Sequence, residues 1–417
     1  MNLPYTRAAS VLTLAALCAL CASAPAAAAV TVESEDGAAG FELVGHARSF
    51  SLFTDSDLGG VQSVISQRLR PALEVWTPWG VSLEVAYDVV PVTGGAGSTA
   101  AGLAVGQNVP MRWVDFDRVA YAPESGAWVL QHNLDRLVVT YGGVWGEVRV
   151  GRQAIGFGSS RLFPAADLFA PFGPASIDTE FKRGADAARV TVPLGEFHEV
   201  EAFVVANGTD AAEWTYMGKW RGSFTGALDV AVLGGMSYGR PTLALDLTGD
   251  VLGATWYAEG STRVDLDELS NTSVRGTVGL SYQFPFELMA TVEGHYNGRG
   301  ADAPYDLASL SGGEGASLER RVGEVFLLGR WYAGAALSYP LMPLLSASLA
   351  YQQNLTDASG LVTASLGYDF SEEVSVGLGA LVTYGEEPEV DALGIPQLRS
   401  EFGAFPTIGF VDLRLVF

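Results

Sequence analysis

Residues 272–297 alternate apolar and polar side chains with a period of two, and the polar side carries charge. Val274, Val278, Leu280, Tyr282 and Phe284 share one side, opposite Arg275, Thr277, Gly279, Ser281 and Gln283. After Pro285 the pattern resumes, with Phe286, Leu288, Ala290, Val292 and Tyr296 opposite Glu287, Thr291, Glu293, His295 and Asn297. Residues 81–89 repeat it, setting Val81, Leu83, Val85, Tyr87 and Val89 against Ser82, Glu84, Ala86 and Asp88. A soluble sandwich hides an apolar face, whereas here the charged face has to line water while the apolar face meets lipid. The segments run about ten to fourteen residues, enough for a tilted strand to cross hydrocarbon and longer than the ~5–6 residues usual in soluble sheets.

Hydropathy points the same way. Hydrophobic residues make up 48% of the 417 residues and charged ones 17%, with a mean hydropathy of +0.22, which is too apolar for an ordinary soluble domain. Beyond the N-terminus no run reaches the ~18 apolar residues that a spanning helix needs. A chain that enters a membrane without such helices satisfies its backbone between strands, in a closed barrel with no edge. The expected fold is all-β: a transmembrane antiparallel up-and-down β-barrel of about eighteen strands occupying residues 41–417.

Residues 1–29 read as a cleaved secretory signal, with Arg7, an apolar stretch at 11–22 and small residues at Ala27, Ala28 and Ala29. Residues 30–40 are expected to be a short periplasmic lead-in. Both cysteines, Cys18 and Cys21, lie in the signal, so the remaining chain has neither a disulfide framework nor a thiolate metal site. Cleavage removes one base and no acid from a chain of net charge −23, and so acidic a surface excludes nucleic acid as a partner.

The expected strands are 41–53, 61–76, 79–91, 128–140, 144–155, 180–193, 196–207, 213–224, 227–238, 241–249, 251–263, 271–284, 286–297, 328–339, 344–355, 359–370, 373–384 and 405–417. In strand 4, Leu137, Val139 and Tyr141 set a phase that Gln131, Asn133 and Asp135 break, so a bulge is expected near Asp135. The long connections 54–60, 92–127, 156–179, 298–327 and 385–404 all follow odd-numbered strands, and every connection after an even-numbered strand is a tight turn of the kind glycine and proline favour. That asymmetry matches short periplasmic turns and long extracellular loops, with both termini in the periplasm. Trp76, Trp79, Trp128, Trp145, Trp214, Trp220, Trp256 and Trp331 fall where interfacial girdles are expected. The last strand sets Val411, Leu413, Leu415 and Phe417 on one face; a terminal aromatic of this kind resembles the signal that the outer-membrane assembly machinery reads.

Function has to be read from the lumen. Inward bases are Arg68, Arg70, Arg149, Arg189, Lys219, Arg221, Arg263, Arg275 and Arg330, and inward acids are Glu74, Glu84, Asp88, Glu147, Glu199, Glu201, Glu259, Glu287 and Glu293. Rings of charge sort permeating ions by sign, whereas the same residues paired across neighbouring strands only stiffen the wall. Arginine outnumbers lysine 22 to 2, which suits wall pairing and carboxylate recognition alike.

The segment VRVGRQAIGFGSSRLFPAADLFAPFGP, residues 148–174, is more specific. It resembles proteobacterial porin-like barrels related to the alginate-export family, within the porin superfamily of 16- to 18-stranded barrels, in which a strand ending Gly-Arg-Gln leads to a glycine turn and a Pro-x-Asp-Leu-Phe loop. The matching residues are Gly151, Arg152, Gln153, Gly156, Gly158, Pro164, Asp167, Leu168, Phe169, Pro171 and Phe172. Phe157 stands where many relatives have tryptophan, and two alanines separate Pro164 from Asp167 where one residue is usual. Alginate as cargo is not carried over. The apolar loop residues are placed to tuck back into the mouth, either stiffening the rim or forming a constriction where Arg152, Arg161 and Asp167 touch solute.

The leading expectation is a porin or channel for passive, charge-selective diffusion of small hydrophilic solutes or ions. The alternative is a plugged structural barrel that anchors an export or surface complex, or an adhesin. An enzyme is not expected: none of His46, His132, His198 and His295 sits in a recognisable arrangement with a nucleophile, His132 with Asp135 being the nearest candidate pairing, and no phosphate-cradling loop or zinc spacing occurs. Lipid and lipopolysaccharide are the expected surroundings. The acids Asp265, Asp267 and Glu268, and Glu386, Glu387, Glu389 and Asp391, are expected on loops.

Overall fold

The computed structural model describes residues 30–56, 60–94, 111–113, 118–121, 128–173, 176–224, 227–305, 317–390 and 396–417; the proposed signal and Asp391 lie outside them. Eighteen long strands form the wall. In chain order they are β1 (Gly40–Ser56), β2 (Gly60–Trp76), β3 (Val81–Thr93), β4 (Trp128–Gly143), β5 (Gly146–Gln153), β6 (Ala185–Pro193), β7 (His198–Val205), β8 (Thr215–Phe224) and β9 (Leu228–Ser237). They continue with β10 (Arg240–Val251), β11 (Ala254–Arg263), β12 (Ser273–Gln283), β13 (Met289–Asn297), β14 (Trp331–Met342), β15 (Leu345–Asn354), β16 (Gly360–Asp369), β17 (Val374–Tyr384) and β18 (Thr407–Val416). Each pairs antiparallel with its chain neighbour, and β1 pairs with β18 from His46↔Val416 to Asp55↔Thr407, which closes the barrel. Every expected strand has its counterpart.

Closure follows from the alternation. On β12, Val278 is 63% exposed on the outer face while Thr277 beside it is 2% exposed on the inner one. An apolar outside around a polar, enclosed inside is the reverse of a soluble protein and the pattern of a membrane barrel. On β4 the outer phase of Leu137, Val139 and Tyr141 is exposed. The pairing jumps from Tyr87↔Leu134 to Ala86↔Arg136, leaving Asp135 as the extra residue of a bulge. Bulging lets both phases of β4 coexist and turns Asp135 inward, where it is buried.

All even-to-odd connections are short, and the long ones leave odd strands. Four details depart from the sequence reading. The connection expected at 54–60 shrinks to 57–59, because β1 and β2 stay paired to Ser56↔Gly60. The turn expected at Asp250 falls at Leu252 and Gly253, which have φ of 51° and 81°; left-handed pairs of this kind match the twist of a two-residue hairpin. Glu287, expected on the inner face beside Glu293, sits in the turn before β13 with φ 69° and is exposed. Its neighbour Pro285 breaks the ladder, so β13 begins only at Met289. Residues 30–40 are not a loose lead-in: Val30–Glu33 forms a short strand on β1, from Val30↔Leu43 to Glu33↔Gly40. It covers the edge that β1 would expose below the end of β18.

Tryptophans mark both ends of the wall. Trp76, Trp79, Trp145, Trp220 and Trp256 lie toward the short-turn end, and Trp128, Trp214 and Trp331 toward the long-loop end. Phe417 continues the β18 ladder with reciprocal backbone hydrogen bonds to Gly45 of 2.5 and 2.8 Å.

Candidate functional site

The 154–184 segment between β5 and β6 folds into the bore. It begins after Gly151, which has φ +124°, where a Cβ would meet the Leu137 carbonyl oxygen at 2.1 Å; glycine alone fits there. Two wall carboxylates hold its descent. Glu259 on β11 accepts the backbone N–H groups of Ser159 (2.7 Å), Ser160 (3.0 Å), Ala165 (2.6 Å) and Ala166 (3.0 Å), and the Ser160 hydroxyl (2.7 Å). Glu293 on β13 accepts those of Arg161 (2.7 Å), Leu162 (3.1 Å) and Phe163 (2.9 Å), and the Tyr257 hydroxyl (2.6 Å). Both are buried, and the backbone donors stand in for the water that an ionised carboxylate loses on burial.

Apolar residues of the loop then seal against the wall. Leu168 and Phe169 join Phe203, Val205, Met217 and Leu233 of β7 to β9. Phe163 packs with Tyr332, Leu361 and Phe402, and Ile177 packs on Phe50, Leu52 and Phe410 of β1 and β18. Asp178 ends the crossing between Arg68 (2.5 Å) and Arg48, which also holds Asp412 of β18 at 2.6 and 2.9 Å. Although burial opposes it, the two guanidinium groups hold the Asp178 carboxyl below the ordinary aspartate range. The loop thus spans from the β11–β13 wall to the β18–β2 wall.

A second loop, between β13 and β14, enters beside it. Glu319 and Glu324, from and just after a short helix at Leu318–Arg321, meet Arg263 at 3.3 and 2.5 Å, and Glu324 also meets Arg275 at 3.4 Å. A third segment closes over the top. Glu401 is buried and accepts from Tyr332 Oη (2.6 Å), Asn354 Nδ2 (2.8 Å) and the Leu328 N–H (3.1 Å). Burial, with Asp357 nearby, pushes its carboxyl up to about 7, against these donors, which favour the charged form.

The expected site residues scatter across this arrangement. Arg70 pairs with Asp135 at 2.9 Å and approaches Asp88 at 3.5 Å, with its guanidinium over the Phe181 ring. Arg189 and Lys219 share Glu201 at 2.7 and 3.1 Å. Arg149 meets Glu147 at 3.0 Å, and Arg221 meets Glu199 at 4.0 Å. Glu84 is exposed near the short-turn end, in register with Glu74. The trio Arg152, Arg161 and Asp167 is not brought together. Arg152 is enclosed in the wall, bidentate to Asp186 at 2.7 and 3.0 Å and bound to the Leu134 carbonyl at 2.9 Å. Asp167 is buried against Lys182. Arg161 alone is exposed, its guanidinium 3.5 Å from Met289 Sδ.

His132 contacts the Tyr87 hydroxyl, while Asp135 is taken by Arg70, Arg136 and the Gly184 N–H. Of the loop acids, Asp265 meets Arg240 at 2.8 Å, and Glu386 and Glu389 meet Arg399 at 3.3 and 3.5 Å. Glu259 and Glu293 were visible as inward acids, but nothing in the sequence marks them as holders of a loop. Asp178, Glu319, Glu324 and Glu401 went unnoticed because they lie in connections, where no periodicity marks a side chain as inward.

No family model matches the chain, and no curated protein does either. Solved structures match across most of its length. OccAB1 of Acinetobacter baumannii aligns over 92% of this chain and 97% of its own at 12% identity and a TM-score of 0.53. OccAB2 of the same organism aligns over 90% and 98% at 10% identity and a TM-score of 0.55. OpdK of Pseudomonas aeruginosa, solved with vanillate, aligns over 90% and 98% at 11% identity and a TM-score of 0.53. With the closed eighteen-strand wall, these alignments establish that the chain has the fold of the outer-membrane porin-type β-barrels.

Proposed function

We propose that this chain is an outer-membrane channel for passive diffusion of small hydrophilic solutes, with both termini and the short turns in the periplasm. The observation that carries it is a wide barrel with a polar inner face, narrowed by an inserted loop that the wall holds through Glu259 and Glu293. Eighteen strands enclose more space than inward side chains alone fill. The neighbouring folds support the reading, including OpdK, which was solved with vanillate.

Charge selectivity is weak on this reading, because the wall cations are largely matched by acids of the wall and of the inserted loops. Arg161 is the candidate for a residual bias, because the residue is exposed and its guanidinium reaches Met289 Sδ, while only its backbone N–H is held by Glu293. Ion-selectivity measurements on wild type and Arg161→Ala test this: a shift of reversal potential toward cations is expected, and an unchanged potential contradicts it.

One observation favours a second reading. Three apolar clusters seal loops to the inner wall toward the long-loop end, as a plugged barrel that anchors a surface complex would require. A bore silent in wild type and opened by shortening the 154–184 segment supports that alternative.

A further inference from the structure

Among the described residues, the inserted loops leave one arc of the inner wall bare. Loop residues occupy β11 and β13 through Glu259 and Glu293, β7 to β9 through Leu168 and Phe169, and β18 to β2 through Asp178. On β14 they reach Gly334, where Leu162 and Phe163 approach closely. Below that level, toward the short turns, the inner positions of β14 to β17 form a continuous register. Ser338 faces Ser348, Ser348 faces Ser365, and Gly367 faces Gly377.

Every inner position from 334 to 338, 346 to 350, 363 to 367 and 375 to 379 is glycine, alanine, serine or threonine. No side chain there is larger than threonine and none is charged. Ser338 and Ser348 are exposed, and among the described residues the side-chain hydrogen bond on this arc is Ser348 to Ser365 at 2.6 Å, between wall residues. Elsewhere at the same depth the wall carries long side chains, such as Arg189 with Glu201 and Arg48 with Asp412.

We propose that the solute path runs along this arc, lined by its serine and threonine hydroxyls. The inference rests on the channel reading above. Small side chains leave the cross-section open where no loop fills it. Serine and threonine hydroxyls donate and accept, so they replace a neutral solute's lost water without a countercharge. The inner positions of this arc carry no guanidinium of their own; Arg161, beside Met289, and Arg414, in register with Ser375, stand at its two edges.

The test places a single thiol on the folded full-length protein. Ser348→Cys and, on the opposite wall, Thr191→Cys are each treated with a bulky neutral maleimide in a planar bilayer, since the native cysteines, Cys18 and Cys21, precede the proposed cleavage site. Labelling of Ser348→Cys is expected to cut conductance at least about twofold, as blockage of a narrow path requires, and labelling of Thr191→Cys to leave it near its starting value. A wild type that never conducts overturns the channel reading itself. A conducting wild type in which Ser348→Cys is unreactive, or reacts without effect, overturns the placement of the path.

Discussion

Arg152 and Glu259 exchanged the roles their sequence positions imply. Arg152 lies in the one recognisable motif, yet its guanidinium is spent on Asp186 and the Leu134 carbonyl. Arg152→Ala leaves Asp186 without its buried partner and should cost about 3 kcal/mol, read as a lower unfolding temperature, with ion selectivity unchanged; altered selectivity at unchanged stability contradicts this. Glu259 looked like one inward acid among several, yet it holds both limbs of the inserted loop. Glu259→Ala strands four backbone donors, those of Ala165 and Ala166 fully buried, at about 1–3 kcal/mol for each buried one, so larger and noisier conductance steps are expected. Gly45 gave no signal at all. A Cβ there would lie 2.3 Å from the Phe417 ring, so Gly45→Leu should slow barrel assembly, seen as loss of the heat-modifiable band on gels; normal assembly would show that the ring relocates freely. Sequence alone separates inner from outer positions because strand geometry alternates side chains. It does not say which inner charges reach solute, because that depends on loops whose paths follow no period.

At the scale of elements, the wall strands were legible down to the bulge at Asp135, since a broken phase in β4 admits few other solutions. The short strand Val30–Glu33 and the helix Leu318–Arg321 were not, being too brief to show a period. The segment at 396–405 belongs to the same class. It roofs the long-loop end of the β14–β17 arc with Phe402, and it is held by Glu401 among Tyr332, Asn354 and the Leu328 N–H, with Tyr305, Arg320 and Asp357 nearby. Because the folded Glu401 carboxyl titrates near 7 rather than 4.5, folding binds an extra proton between those values. The stabilisation is therefore full below about 4.5 and is lost as pH rises through about 7. Conductance should rise between pH 6 and pH 8 in wild type, and Glu401→Gln should flatten the profile in the low state. A wild-type profile already flat across that range contradicts the latch.

The whole molecule is a charged-lined cylinder whose bore is divided by loops rather than left open. Strand number, closure and the alternation of loop lengths were readable because lipid outside and water inside impose one rule on every strand. The division of the bore was not, because the residues that seal it, such as Leu168, Phe169 and Phe163, are apolar loop residues that read equally well as rim packing. The most direct test is single-channel recording of the purified full chain in a planar bilayer, beside a variant in which residues 156–173 are replaced by a short glycine-serine bridge. Small, well-defined steps in wild type and several-fold larger ones in the variant are predicted; a silent wild type contradicts the account.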